Sequence, residues 1–140
     1  MKPTLVQTEG KEVQFADPNL EKTVRKTIRK PKDPILKSDL EGLTDLLNAS
    51  DKNIPDLNGI EHCIHLGRLF LTTNQVSDIS PLSRLTNLEI LCLGDNQIQD
   101  ISPLSNLTNL QELTSRDNQI SDISPLSNLS NLQVLRIITK

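Results

Sequence analysis

A chain of 140 residues that is 35% hydrophobic yet holds only two Phe and no Trp or Tyr must build its single core from Leu and Ile, because the aromatic bulk that usually fills an irregular interior is nearly absent. Its formal charge of −3 is unevenly divided: residues 1–37 carry nine Lys/Arg against five Asp/Glu, and residues 38–140 carry six against thirteen. The acidic body argues against general nucleic-acid binding, and no stretch approaches the roughly 18–20 consecutive apolar residues of a membrane-spanning helix.

Residues 1–12 show no apolar period and read as a disordered lead. They contain no apolar run of signal-peptide length, so the chain as written reads as cytoplasmic. The stretch FADPNLEKTVRKTIRKP (residues 15–31) predicts a helix, with Asp17 as N-cap, Pro18 at the first helical position and Pro31 beyond the end. Leu20, Val24 and Ile28 make one apolar stripe. Lys22, Arg25, Lys26, Arg29 and Lys30 lie on the other side, which reads first as a solvated face and second as a surface for an acidic partner or nucleic acid. In KSDLEGL, Ser38 and Glu41 have the spacing of a capping box for a second short helix. Residues 13–43 are therefore expected to form a helical N-terminal cap.

Beyond the cap the chain repeats. Asn-Gln occurs at residues 74–75, 96–97 and 118–119, and DISPL begins at Asp78, Asp100 and Asp122, each time with a spacing of 22. Counted from Leu66, Leu88 and Leu110, apolar residues fall at offsets 3, 5, 10, 13, 16 and 19, Ser115 alone excepted, with Asn at offset 8. The period extends back to Thr44, which places Leu47, Ala49, Ile54, Leu57, Ile60 and Cys63 on the core offsets. The expected units are 44–65, 66–87, 88–109, 110–131 and a partial 132–140.

Alternation at offsets 3 to 5 is the period of a strand, so each unit should add one short strand to a parallel sheet. The later spacing of three suits 3₁₀ turns, and Pro81, Pro103 and Pro125 suit their starts. Asn74, Asn96 and Asn118 fall where the chain turns in from the strand. A buried amide there can satisfy turn backbone in its own and the neighbouring unit, forming a structural asparagine ladder. No single unit can bury its own leucines, so burial has to come from stacking.

The pattern L-x-x-L-x-L-x-x-N-x-I, together with FADPNLEKTVRKTIRKP, SDLEGLTDL, DLNGIEHC and NQVSDISPL, resembles the cap and 22-residue leucine-rich repeats of bacterial internalin-type proteins. The resemblance covers residues 13–140. It implies an α/β fold: a right-handed leucine-rich-repeat solenoid with a curved parallel β-sheet, a 3₁₀ and loop convex side, and an N-terminal helical cap. It also implies a protein partner bound on the concave sheet. Proteins of this kind are often secreted or surface-attached, which leaves localisation open.

If offsets 3 and 5 point inward, offsets 2, 4 and 6 line the concave face. The candidate partner-binding residues are Arg68, Phe70, Thr72, Ile90, Cys92, Glu112, Thr114, Arg116, Val134, Arg136 and Ile138, with Gly94 among them on the sheet. Phe70, Ile90, Cys92, Val134 and Ile138 are expected to form an apolar patch rimmed by Arg68, Glu112, Arg116 and Arg136; β-propensity alone is the plainer account of the apolar residues. No cofactor, metal or catalytic residue is expected. His62, Cys63 and His65 are ligand types for zinc, but Cys63 sits on a core offset. Cys92 has no histidine at a spacing that suggests a catalytic pair.

The expected function is non-enzymatic protein–protein interaction. The alternative is that the repeats are a truncated or targeting portion of a larger surface protein, effector or regulatory enzyme. Two irregularities stand out. Ser115 occupies offset 5, where the neighbouring units place Leu93 and Ile137, so its hydroxyl is expected to find a partner or to distort the sheet locally. Lys140 falls at the Asn offset, so the last unit should end just after its strand and fray or self-associate.

Overall fold

Pro18 suits the first helical position because its φ is already helical and its missing N–H would have no intrahelical partner. In the computed structural model, which describes residues 11–137, helix α1 runs Pro18–Ile28. A carboxylate oxygen of Asp17 accepts from the N–H of Leu20 at 2.9 Å. The helix ends at Arg29 in the left-handed conformation (φ 59°), where the Lys30 N–H bonds the Arg25 carbonyl at 3.0 Å. Leu20 and Val24 are fully buried and Ile28 partly so.

Helix α2 runs Lys37–Glu41, and its start corrects the capping box expected from Ser38 and Glu41. The cap is Leu36, whose N–H donates to the Asp39 carboxylate at 2.8 Å, while the Asp39 N–H returns to the Leu36 carbonyl at 3.0 Å. The helix begins one residue before Ser38, so Asp39 rather than Glu41 stands three residues past the cap, within reach of its amide. Asp39 also holds Lys30 at 2.8 Å and so ties α2 to the end of α1. A second correction concerns the lead expected over 1–12. Glu12 pairs antiparallel with Leu36, and the N–H groups of Val13 and Lys37 bond the carbonyls of Ile35 and Lys11. Lys11 and Glu12 therefore belong to the cap; the rest of that stretch lies outside the described residues.

Five three-residue strands follow: β1 Leu46–Asn48, β2 Arg68–Phe70, β3 Ile90–Cys92, β4 Glu112–Thr114 and β5 Val134–Arg136. They form one parallel sheet in chain order. The register advances by one repeat per strand, so Leu47, Leu69, Leu91, Leu113 and Leu135 stand in a single row. On the opposite side lie 3₁₀ turns at Ile60–His62, Ser80–Leu82, Ser102–Leu104 and Ser124–Leu126. The whole is a right-handed repeat solenoid with helices over its first layer. Helix α1 packs against β1, and α2 packs against the first 3₁₀ turn.

Each layer contributes the same side chains to the interior. Leu47, Ala49, Ile54, Leu57, Ile60 and Cys63 of the first unit are all buried to 1% exposure or less, as are the leucines and isoleucines on the same offsets of the next two. Burying one such side chain fully stabilises by about 1.5–3 kcal/mol, an upper figure against a compact unfolded state.

Ser115 breaks the row without breaking the sheet. It is 1% exposed, and its Oγ has no hydrogen-bond partner among the described residues. Its own N–H still bonds the Arg136 carbonyl at 2.8 Å, and β4 keeps its register with β3 and β5. The expected partner and the expected distortion are both absent. The nearby backbone is committed to strand pairing and to Asn118, so the hydroxyl stays orphaned. At the far end Ile123 and Leu135 are 46% and 44% exposed, with Leu132 and Ile137 only partly covered.

Candidate functional site: the concave face of the sheet

Because side chains alternate across a strand and the register is one repeat per strand, residues at equal offsets form columns with strands about 4.8 Å apart. The first column is Leu46, Arg68, Ile90, Glu112, Val134; the second is Asn48, Phe70, Cys92, Thr114, Arg136. Thr72, Gly94 and Arg116 follow one step past the strands. Phe70 stands directly beside Cys92, and Ile90 stands between Arg68 and Glu112. Phe70, Ile90 and Cys92 are therefore contiguous. All three are partly exposed, whereas Arg116 and Arg136 are exposed.

Val134 does not join this patch, because Glu112 stands between it and Ile90. The apolar surface is consequently smaller than the residue types alone imply. Ile138 lies outside the described residues. Arg68 is held at the patch edge by Asp45, Nη2 to Oδ1, at 2.8 Å. Leu46 and Asn48 extend both columns, and reading from the consensus units misses them. Their signal was available as offsets 2 and 4 from Thr44.

The asparagines behind this face set its shape. The Asn96 amide nitrogen donates to the carbonyls of Leu71, Leu93 and Gly94 at 3.0–3.1 Å, and its oxygen accepts from the Val76 N–H at 3.0 Å. Asn74 takes the N–H groups of Lys52 and Ile54 and donates to Ala49 and Leu71. Asn118 takes the Ile98 N–H and donates to Leu93 and Ser115. Each buried amide thus bridges its own turn to the one before it.

The other candidates disperse. Cys63 is in the core, where burial and then the charge of Glu61 push its thiol up to about 12. His62 faces Glu61, and His65 faces Asn87. Among the described residues no three His, Cys, Asp or Glu side chains are placed to share a metal ion, and no helix is long and apolar enough to cross a membrane. The carboxyls of Asp100 and Asp122 are held low because each accepts from the backbone N–H, and then the hydroxyl, of the serine two residues on. Asp78 makes the same backbone bond to Ser80 at 2.9 Å. These aspartates start the 3₁₀ turns.

Residues 86–114 match the family model described as Leucine Rich repeats (2 copies). An internalin (inlF) from Listeria monocytogenes is 34% identical over 88% of this chain, with a TM-score of 0.77. The chain spans 43% of that internalin. An internalin C2 (inlC2) from the same species is 30% identical over 88% of this chain and 74% of its own, with a TM-score of 0.46. A Clostridium perfringens ZmpB structure of CBM51-2 with GlcNAc and INT domains is 26% identical over 66% of this chain and 20% of its own, with a TM-score of 0.56. No curated protein matches. The cap, the 22-residue layers and the identity across them together place the chain among the bacterial internalin-type leucine-rich-repeat proteins.

Proposed function

We propose that the chain is a non-enzymatic protein-interaction module and that its partner lies on the concave face. The observation that carries this reading is the partly exposed patch of Phe70, Ile90 and Cys92, held in register beside Arg68 and Glu112, with Arg116 one step past β4. A sheet face with only a structural role has no need of an apolar centre among charged neighbours, and that composition suits a protein interface. The shifted titratable groups have structural explanations, which also favours binding over catalysis. Cys63 is core, and Asp39, Asp100 and Asp122 serve helix and turn starts.

The test is the pair Phe70→Ala and Arg116→Glu, both on the open face. The variant should melt as the parent does and lose a partner recovered from native lysate. Undiminished recovery would sink the assignment. A second reading makes these repeats the targeting portion of a larger surface protein, effector or regulatory enzyme. The 43% span of the internalin F chain favours it, and the reading frame on both sides of the coding region tests it. The exposed Ile123 and Leu135 also support self-association through the last layer.

A further inference from the structure

Where the cap meets the sheet, a groove of about 400 Å³ runs between α1 and the first repeat. Lys22 and Lys26 line it from the helix, Lys52 from the turn after β1, and Asn19 and Asn48 from either wall. Among the described residues no carboxylate lines it. Among the described residues the ion pairs are Arg25–Glu21, Lys30–Asp39, His62–Glu61 and Arg68–Asp45, and none uses these three lysines. Three lysines therefore line one polar groove, and none of them makes an ion pair among the described residues.

The other polar groups are mostly engaged. Asn19 donates to the Asn53 carbonyl at 3.2 Å, and the neighbouring Thr23 and Thr27 hydroxyls donate back into the helix. The oxygen of Asn48 accepts from the Ser50 N–H at 3.2 Å, which leaves its amide nitrogen to donate outward. The groove thus offers positive charge and a neutral donor, the chemistry that receives carboxylates. Asn48 pairs in register with Phe70, so the groove opens onto the concave face beside its apolar centre.

We propose that this groove receives an acidic segment, a short run of Glu or Asp, of the protein partner whose remainder lies on the sheet; the proposal rests on the concave-face reading above. A peptide suits the site better than an extended polyanion. Residues 38–140 carry thirteen Asp/Glu against six Lys/Arg, so a nucleic acid or sulfated glycan leaving the groove would run along a repelling body. A local acidic run ends where the positive charge ends.

The test is fluorescence anisotropy of a fluorescein-labelled hexaglutamate peptide on the full chain at low ionic strength, where exposed charges are least screened. Hexaglutamate should bind and hexaglutamine should not. Lys22→Gln/Lys26→Gln/Lys52→Gln should weaken hexaglutamate by about tenfold, and Lys52→Gln alone by a measurable fraction of that, with thermal melts unchanged. Arg84→Gln, which removes an exposed positive charge outside the groove, should leave this binding intact. Equal binding of both peptides, retention by the triple variant, or tighter binding of a sulfated hexasaccharide or a short single-stranded DNA through the same lysines would each overturn the proposal. The two readings fail separately. A partner indifferent to Phe70→Ala/Arg116→Glu removes the sheet and leaves the hexaglutamate result standing, whereas hexaglutamate indifferent to the lysines removes only the groove.

Discussion

Phe15 lies against Gly59 so closely that a Cβ on the glycine would sit 2.5 Å from a ring carbon. Gly59 also has φ +113°, a conformation that side-chain-bearing residues rarely adopt. The contact docks the segment leading into α1 onto the first layer, where the Ala16 N–H also reaches the Asn58 carbonyl at 3.3 Å. The later units hold Pro81, Pro103 and Pro125 at this offset. The first departs because the cap occupies the space outside it.

Gly59→Ala should therefore cost about 2–4 kcal/mol, through backbone strain and the clash together. Urea denaturation measures the loss. Repeating the substitution in a Phe15→Ala background should cost distinctly less, because the clash is gone and the strain remains. Equal costs in both backgrounds would mean that the ring does not set the constraint.

Ser115 offers the opposite experiment. Its orphaned hydroxyl fills a leucine position between well-buried rows. Ser115→Ala should raise stability by about 1 kcal/mol by removing the unpaired polar atom. Ser115→Leu should raise it by about 2 kcal/mol by restoring the apolar row. The readout is the urea midpoint at unchanged m-value. A fall in stability with Leu would show that the layer has closed around the serine.

Acid should loosen the junction of the two helices. Burial pushes the Asp39 carboxyl up, but its bond to Lys30, the Leu36 N–H and the Lys30 charge together hold it below the usual carboxylate range. A depressed carboxyl contributes stability that is present above its unfolded value and lost as pH falls through its folded one. Asp100 and Asp122 act in the same direction. Stability followed from neutral pH downward should fall as pH drops through and below the ordinary carboxylate range, where these lowered groups take up protons. In Asp39→Asn, which keeps an acceptor for Leu36 and loses the charge, that fall should be shallower.

The last described layer leaves Leu135 and Ile123 open to water. Sedimentation equilibrium should give a mass that rises with concentration, and Leu135→Lys should abolish the rise. A constant mass in both proteins would remove self-association through this face.

The repeats were legible because each layer makes the same contacts, so the same offsets recur and even Cys63 and Ala49 can be assigned to the core. The contacts that occur once were not. Leu36 needs no special side chain to have its N–H capped by Asp39, so nothing at Leu36 marks the start of α2. Phe15 and Gly59 meet only because the cap folds back over the first repeat. Arg25 looks like one more cation of a solvated stripe. Instead its guanidinium bonds Glu21 and the carbonyls of Lys30 and Asp33, and so holds the turn after α1 in place. The concave columns follow from offsets, but their division by Glu112 appears only once the strands are laid side by side.

The asparagine ladder points one way along the chain. Asn74, Asn96 and Asn118 each use their oxygen to accept an N–H of the preceding repeat, twenty residues upstream in the bonds to Ile54, Val76 and Ile98. A layer's turn is therefore finished by the repeat that comes after it. Loss of Asn118 would leave the amide of Ile98 unpaired in the preceding repeat, as well as the carbonyls its nitrogen serves, and would reach no repeat that follows. During synthesis the same polarity means that every new repeat completes the one just emerged, and no layer reaches its final hydrogen bonding until its successor has arrived.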